Sequence, residues 1–275
     1  MVDKRALVAM PGKFGDVIYS LPAVKQLKKK LGIPIDYLTS SYCQPIISLL
    51  ESQPCISKVI VDSGYWPVGG PRPATKNPSF IPQGYDHVFD LNFDWAFIGP
   101  LSQQKSIVDM HFKTLRYKYR LDLDEEFSFP YLDGFSNVDR KDYVVFNAWS
   151  DSFLRNNRIN QNAFVNILMI LKFVLKNLNM KIVAVTGPDQ TKYHETFGYE
   201  VITSVDFLET ARLIAASKLF IGLQSSPYVV ADALQHPRLI YGLFNHVLPI
   251  GDHARVFRLS NTKEEALMLA QELLT

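Results

Sequence analysis

Four short segments of the 275-residue chain set polar or ionisable side chains where an apolar run gives way to a helical pattern. The first is Pro11-Gly12-Lys13-Phe14-Gly15-Asp16-Val17. It reads as a glycine-bearing turn that leaves a carboxylate at a helix start. The dipole there favours a negative charge and lowers a carboxylate pKa, so Asp16 is expected to be ionised at neutral pH. An ionised carboxylate at the mouth of a sheet can take a proton from an attacking hydroxyl. A helix-capping carboxylate has the same local signature, and the residues alone leave both roles open.

The second segment, Gly222-Leu223-Gln224-Ser225-Ser226-Pro227, repeats the strand, turn and helix order. Backbone N–H groups at such a start, with two hydroxyls, suit an anion. A plain serine cap with Pro227 at the first helical position is the structural alternative. The third is the stretch from Trp149 to Asn160, where Arg155, Asn156, Asn157 and Arg158 precede a helix. Its two cations can pair with a diphosphate through charge-assisted hydrogen bonds, or simply face water. The fourth, Thr186-Gly187-Pro188-Asp189-Gln190, is a turn at a strand end where a ribose or base can rest. None of these glycines forms a GxGxxG or Walker pattern.

The elements that must carry these segments alternate short β-branched runs with helical stretches, the mark of parallel βαβ units. Strands are predicted at Arg5–Met10, Ile35–Leu38, Lys58–Asp62, Asp86–Leu91, Tyr143–Asn147, Lys181–Thr186, Leu219–Gly222 and Leu239–Leu243. Helices are predicted at Val17–Lys30, Ile46–Glu51, Ile107–Tyr119, Gln161–Asn177, Gln190–Thr196, Asp206–Ser217, Ser226–Leu234 and Lys263–Leu274. Ser63–Tyr85 has no periodicity, and a loop of that length in a domain is usually functional or mobile. Leu121–Asp142 is polar and acidic and reads as an interdomain connection. The expected architecture is α/β, with two Rossmann-like domains, 1–135 and 136–275, facing a cleft at the C-terminal ends of their strands. The last helix is expected to pack back on the first domain through Leu267, Leu269 and Leu273.

A formal net charge of +2 carries no basic nucleic-acid footprint in the global count. Cys43 and Cys55 have no CxxC partner or histidine cluster, so neither a disulfide scaffold nor a zinc knuckle is expected. Asp122-Leu123-Asp124 has the form of a metal-binding DxD but lies in the acidic connection, and no metal is expected there. No apolar run reaches the ~18 residues of a membrane span. The start of the chain is too charged for a secretion signal. The expected location is the cytoplasm, with any membrane association peripheral.

In this order the segments resemble the ADP-heptose:lipopolysaccharide heptosyltransferases of glycosyltransferase family 9. Gly15-Asp16-Val17…Leu21-Pro22-Ala23 carries the resemblance most specifically, followed by Phe207-Leu208-Glu209-Thr210-Ala211 through Phe220-Ile221-Gly222 and by Ser106-Ile107-Val108-Asp109-Met110. The resemblance implies a GT-B fold and inverting, metal-independent transfer of a heptose or hexose-like sugar in lipopolysaccharide biosynthesis. The donor is a nucleotide-diphosphate sugar, ADP-linked in the family, and the acceptor is a hydroxyl of a glycan or other molecule; no cofactor is implied. Asp16 becomes the general base. Gly15, Arg158, Asn157, Gly187, Pro188, Asp189, Gln224, Ser225 and Ser226 become donor-binding residues. The family's second turn reads Asp, Ser or Thr, Gly, where this chain has Gln224-Ser225-Ser226. A family histidine is replaced by Val229, and a family lysine by Asn157. These departures leave the nucleotide and the sugar open. Two other readings compete: a nucleotide-sugar epimerase using His111, His194 or His253 as acid and base, and a nucleotide-binding module with little or no catalysis.

Overall fold

The first apolar run forms β1 (Ala6–Ala9), every residue of which is buried. β2 (Ile35–Ser40) is buried throughout as well. Strands covered on both faces read as continuous apolar runs, which is why these two are plain in the sequence. β3 (Lys58–Asp62) and β4 (His87–Asp90) lie at the edges, and the four form a parallel sheet in the order β3-β2-β1-β4. The structure, a computed structural model, describes residues 4–67, 75, 77–93, 106–123, 130–150, 161–242 and 251–275. Its contacts divide the chain into Met1–Gly134 and Phe135–Thr275.

In the first unit α1 (Phe14–Leu31) follows β1 and buries Leu21, Val24 and Leu27. It begins before Val17 because its first turn, Phe14-Gly15-Asp16, shows no apolar face to register in the sequence. Gly32 ends it at φ 66°, donating its N–H to the Lys28 carbonyl. That left-handed conformation costs glycine nothing. After β2 a 3-10 turn (Ser41–Ile46) runs into α2 (Ile47–Glu51). α3 (Ile107–Lys113) gives way to a π turn at Thr114–Lys118, where the periodicity predicts one uninterrupted helix. The expected connection is partly structural: Leu132 is buried, the Asp133 N–H donates to Gln53 Oε1 at 2.9 Å, and Lys25 Nζ stands 3.7 Å from the Tyr131 ring centre.

The second unit holds β5 (Tyr143–Asn147), α4 (Gln161–Asn177), β6 (Lys181–Thr186), α5 (Thr191–Glu195), β7 (Glu200–Thr203) and α6 (Phe207–Ala215). It continues with β8 (Leu219–Leu223), α7 (Ser226–Ala233), β9 (Arg238–Tyr241), β10 (Ala254–Phe257) and α8 (Lys263–Glu272). Its six strands form a second parallel sheet, β10-β9-β8-β5-β6-β7. β10 escapes the sequence reading because it is short, carries Arg255 and is half-exposed along most of its length. Ile167 and Leu171 of α4 pack with Ala266 and Ala270 of α8 over Val144, Phe146, Ile221 and Leu239. Leu267, Leu269 and Leu273, the apolar surface expected to reach the first domain, pack against this same core. Small Ala266 and Ala270 let α8 settle close to α4. Among the described residues no helix is long and apolar enough to cross a membrane.

Gly222 of β8 lies close against the backbone of β5. A Cβ there would fall 2.4 Å from the Asn147 carbonyl oxygen, which is backbone and cannot swing aside. Gly222→Ala is therefore expected to destabilise the second unit by about 1–3 kcal/mol, the usual cost of overpacking, read as a lower denaturation midpoint. An unchanged midpoint would mean that the strands separate without cost.

Candidate functional site

In the first sheet the chain leaves β1 for β2 on one side and returns to β4 on the other. Parallel sheets bind ligands at such a switch point, beyond the C-terminal ends of the strands. The β1–α1 turn lies there. Lys13 is the N-cap of α1, and Asp16, two residues after Phe14, turns its carboxylate back to accept the Lys13 N–H at 3.1 Å. Thr39 Oγ1 donates to the Met10 carbonyl at 2.9 Å and Cys43 Sγ to the Gly12 carbonyl at 3.1 Å, so β2 and the turn after it hold this loop. Gly12 is a close-approach glycine. An added Cβ would lie 2.6 Å from Asp16 Cβ and 2.6 Å from Met10 Cε.

The direction of the Asp16 pKa shift departs from the sequence expectation, although the group is still mostly ionised at neutral pH. Withdrawal from water raises its pKa to about 6, outweighing the Lys13 N–H and the Lys13 charge, which pull it down. The helix start does favour the carboxylate, but burial wins. Capping does not exhaust the group either, since a carboxylate has about four lone-pair sites and one N–H takes one of them.

The aperiodic segment after β3 is anchored at several points. Asp62 accepts the Gly64 N–H at 2.7 Å and the Ser79 N–H at 2.6 Å, while Thr75 Oγ1 accepts the Trp66 N–H at 2.8 Å. Phe14 stacks on Tyr42 with ring centres 5.1 Å apart, and Trp66 lies 6.5 Å beyond Tyr42. An aromatic row thus borders the Asp16 turn.

The second sheet switches direction between β5 and β8, and its loops are cross-linked at that point. Ser150 Oγ donates to the Gln224 carbonyl at 2.6 Å, and Asn147 Nδ2 to the Val185 carbonyl at 2.8 Å. Ser225 is the N-cap of α7, yet its hydroxyl makes no capping bond and is buried without a partner. Pro227 occupies the second helical position rather than the first. A hydroxyl left unused at a helix start is a group that an anion can engage. The Gln224 side chain is buried at 5% exposure. Gly187 heads a 3-10 turn, Pro188–Gln190, in which Pro188 and Asp189 are exposed.

The structure thus brings 147–150 to 224–226 in one unit and places Gly15 and Asp16 at the switch point of the other. Arg155, Asn156, Asn157 and Arg158 lie outside the described residues, as does Asp124. Asp122 offers its backbone carbonyl to Lys30 Nζ. The three histidines named for an epimerase lie in different surroundings. His111 is fully buried. His194 Nε2 accepts the Ala148 N–H at 3.1 Å, so its Nδ1 carries the proton and donates to the Gln190 carbonyl at 3.0 Å. His253 is exposed, and its carbonyl accepts the Arg238 N–H. Ser150 and Gly12 are the residues that sequence reasoning missed. A glycine within the first turn was visible, but nothing local showed what it must avoid.

No family model matches the chain, and no curated protein matches it in sequence. Solved structures do. Heptosyltransferase WaaC of E. coli, with ADP-2-deoxy-2-fluoro heptose, aligns at TM-score 0.70 over 98% of this chain and 99% of that one, at 16% identity. A family 9 glycosyl transferase from Veillonella parvula aligns at 0.68 over 99% and 98%, at 17% identity. E. coli ADP-heptose lps heptosyltransferase II aligns at 0.67 over 98% of both chains, at 14% identity. This is the GT-B glycosyltransferase fold. At such identities a GT-B chain keeps the apolar periodicity of its sheets and helices while most individual side chains differ, which is why the likeness shows in structure and not in sequence comparison.

Proposed function

We propose that this protein is an inverting, metal-independent glycosyltransferase that moves a heptose or similar sugar from a nucleotide-diphosphate donor to a hydroxyl acceptor. The observation that carries the reading is Asp16: a carboxylate fixed on a tight turn at a sheet's switch point, with its pKa lifted to about 6. A general base works best when its pKa lies near the working pH, and Asp16 meets that condition at neutrality. It takes the proton of the acceptor hydroxyl, whose oxygen attacks the anomeric carbon from the face opposite the diphosphate and inverts it. The nucleoside diphosphate leaves with the electron pair of the broken bond. Its charge is met by the first N–H groups of α7, by the Ser225 hydroxyl and by Arg158, so no step is assigned to a metal. The nucleoside lies towards Gly187, Pro188 and Asp189, with Asn157 and Gln224 to Ser226 completing the donor contacts. Full-length likeness to the fold of a heptosyltransferase solved with an ADP-linked heptose analogue supports the donor class. The reading places the reaction in the cytoplasm, with any membrane association peripheral.

The test is a panel of nucleotides and nucleotide sugars scored by melting temperature, because a ligand that binds only the folded state must raise it. One nucleoside diphosphate and its sugar conjugate are expected to stand out. A flat response across the panel would remove the donor assignment. With that nucleotide in hand, Arg158→Ala is expected to weaken its binding by about 1.5–3 kcal/mol, the value of a charge-assisted hydrogen bond. Calorimetric affinity equal to the parent's would take Arg158 out of the site.

A further inference from the structure

Asp90 ends β4, the strand at one edge of the first sheet. Its register partner is Ala9, the last residue of β1, and the Leu91 N–H donates to the Ala9 carbonyl at 2.8 Å. Neighbouring strands run about 4.8 Å apart, so Asp90 stands beside the strand end from which the Asp16 turn departs. One of its carboxylate oxygens is well occupied. Oδ1 accepts the Tyr65 hydroxyl at 2.9 Å and the Asn92 N–H at 3.0 Å. The Asp90 N–H in turn donates to the Tyr119 hydroxyl at 2.6 Å, which fixes the strand end.

Oδ2 is placed differently. It faces the ammonium of Lys118, the last residue of the π turn, at 3.6 Å, beyond the length of a direct hydrogen bond. Both side chains are partly open to water, Asp90 at 18% and Lys118 at 25%. A closed pair of this kind sits nearer about 2.8 Å. Here Asp90 is held by its other bonds, and the Lys118 ammonium lies 5.5 Å from the Tyr119 ring centre. A hydroxyl satisfies both ends of such a pair, donating to Oδ2 and accepting from Nζ; two adjacent hydroxyls can take one end each. An anionic ligand would gain from Lys118 and be repelled by Asp90, whereas an uncharged hydroxyl gains from both. On the other side of this strand end the aromatic row Phe14, Tyr42 and Trp66 follows β1, β2 and β3 in turn. Aromatic rings add apolar area. Hydroxyl edges and apolar C–H faces are the two surfaces that a sugar ring presents.

We propose that Asp90 and Lys118 determine acceptor specificity by gripping adjacent hydroxyls, and that the acceptor is an uncharged sugar bearing such a diol. The proposal rests on reading the chain as a glycosyltransferase with Asp16 as its base. With the diol held across Oδ2 and Nζ, a further hydroxyl of the same molecule is carried towards the strand end that bears the Asp16 turn.

Binding is read without donor, by saturation-transfer NMR with glucose, galactose and mannose, and with glucuronic and galacturonic acids as anionic counterparts. At least one neutral sugar is expected to bind saturably and about tenfold more tightly than the acids, because a like charge beside Asp90 is penalised. Lys118→Met keeps an unbranched stem beside Tyr119 and removes the ammonium. Asp90→Asn keeps an oxygen for Tyr65 and Asn92 and replaces the other. Each is expected to weaken the sugar about tenfold, the loss of one charge-assisted hydrogen bond. In transfer from the nucleotide sugar selected by the melting panel, acceptor KM is expected to rise by the same factor. Donor KM and kcat at saturating acceptor should hold, a split that general loosening of the fold would not produce. Parental sugar affinity in a folded Lys118→Met protein would overturn the proposal; that variant decides alone if Asp90→Asn does not fold. So would tighter binding of a uronic acid, or no saturable binding by any of the sugars. If Asp16→Asn kept full turnover while Lys118→Met still lost the sugar, the base reading would fail and the acceptor pair would stand.

Discussion

Replacing Asp16 by Asn is expected to lower glycosyl transfer by about 10²–10⁴-fold, the usual contribution of a general base, while the melting temperature at pH 7 holds or rises. Asn is nearly isosteric, and its amide oxygen can still accept the Lys13 N–H that the carboxylate now accepts. A cap is therefore preserved and a base is lost. The stability side follows from the raised pKa. A group whose folded pKa lies above its ordinary value adds stability at low pH and loses that advantage as the pH climbs through about 6. At pH 7 the ionised Asp16 is thus unfavourable to folding, and a neutral amide relieves it. The same value sets the activity profile. Transfer by the unaltered protein should fall as the pH drops through about 6, because the base becomes protonated. Turnover and melting temperature measured together decide the matter. If Asp16 were only a cap, Asn would serve almost as well and turnover would stay near the parent's.

Gly12→Ala is the second large effect, an expected loss of about 10²-fold in turnover, since a displacement near 1 Å at a reacting group costs that much. The new methyl would stand 2.6 Å from both Asp16 Cβ and Met10 Cε. Met10 is flexible and can yield. Asp16 is bound to the first turn of α1 and can yield only by shifting that turn. The stability cost should be modest, about 1–3 kcal/mol, so the variant remains folded at assay temperature. Donor affinity should be preserved, because the groups assigned to the diphosphate belong to the second unit. A Gly12→Ala protein with parental turnover would show that the turn adjusts freely, and would weaken the claim that its geometry matters.

Some of this was legible in the residues. The buried parallel strands appear as β-branched runs, since a strand covered on both faces needs apolar side chains at every position. α4 was readable to its last residue because a long amphipathic helix repeats its pattern over several turns. The turns after β1, β6 and β8 were readable from glycine, proline and serine, whose backbone preferences act locally. The order of those turns indicated the fold class, and the candidate base and the serine turn came with it.

What only the tertiary structure decided depends on sums over distant neighbours. The direction of the Asp16 pKa shift turned on burial, and a helix-dipole argument applied to one segment gave the wrong sign. α8 pairs its alanines with α4, so its leucines go to the second unit's core; an amphipathic pattern shows that a face will be buried but not against what. His111 was visible only as an isolated histidine, and its complete burial against Phe93 appears only in the packed chain. Gly12 was one glycine among fourteen until the space it leaves for Asp16 could be measured. Backbone preference is a property of a few consecutive residues, whereas desolvation, close approach and partner choice belong to the packed chain.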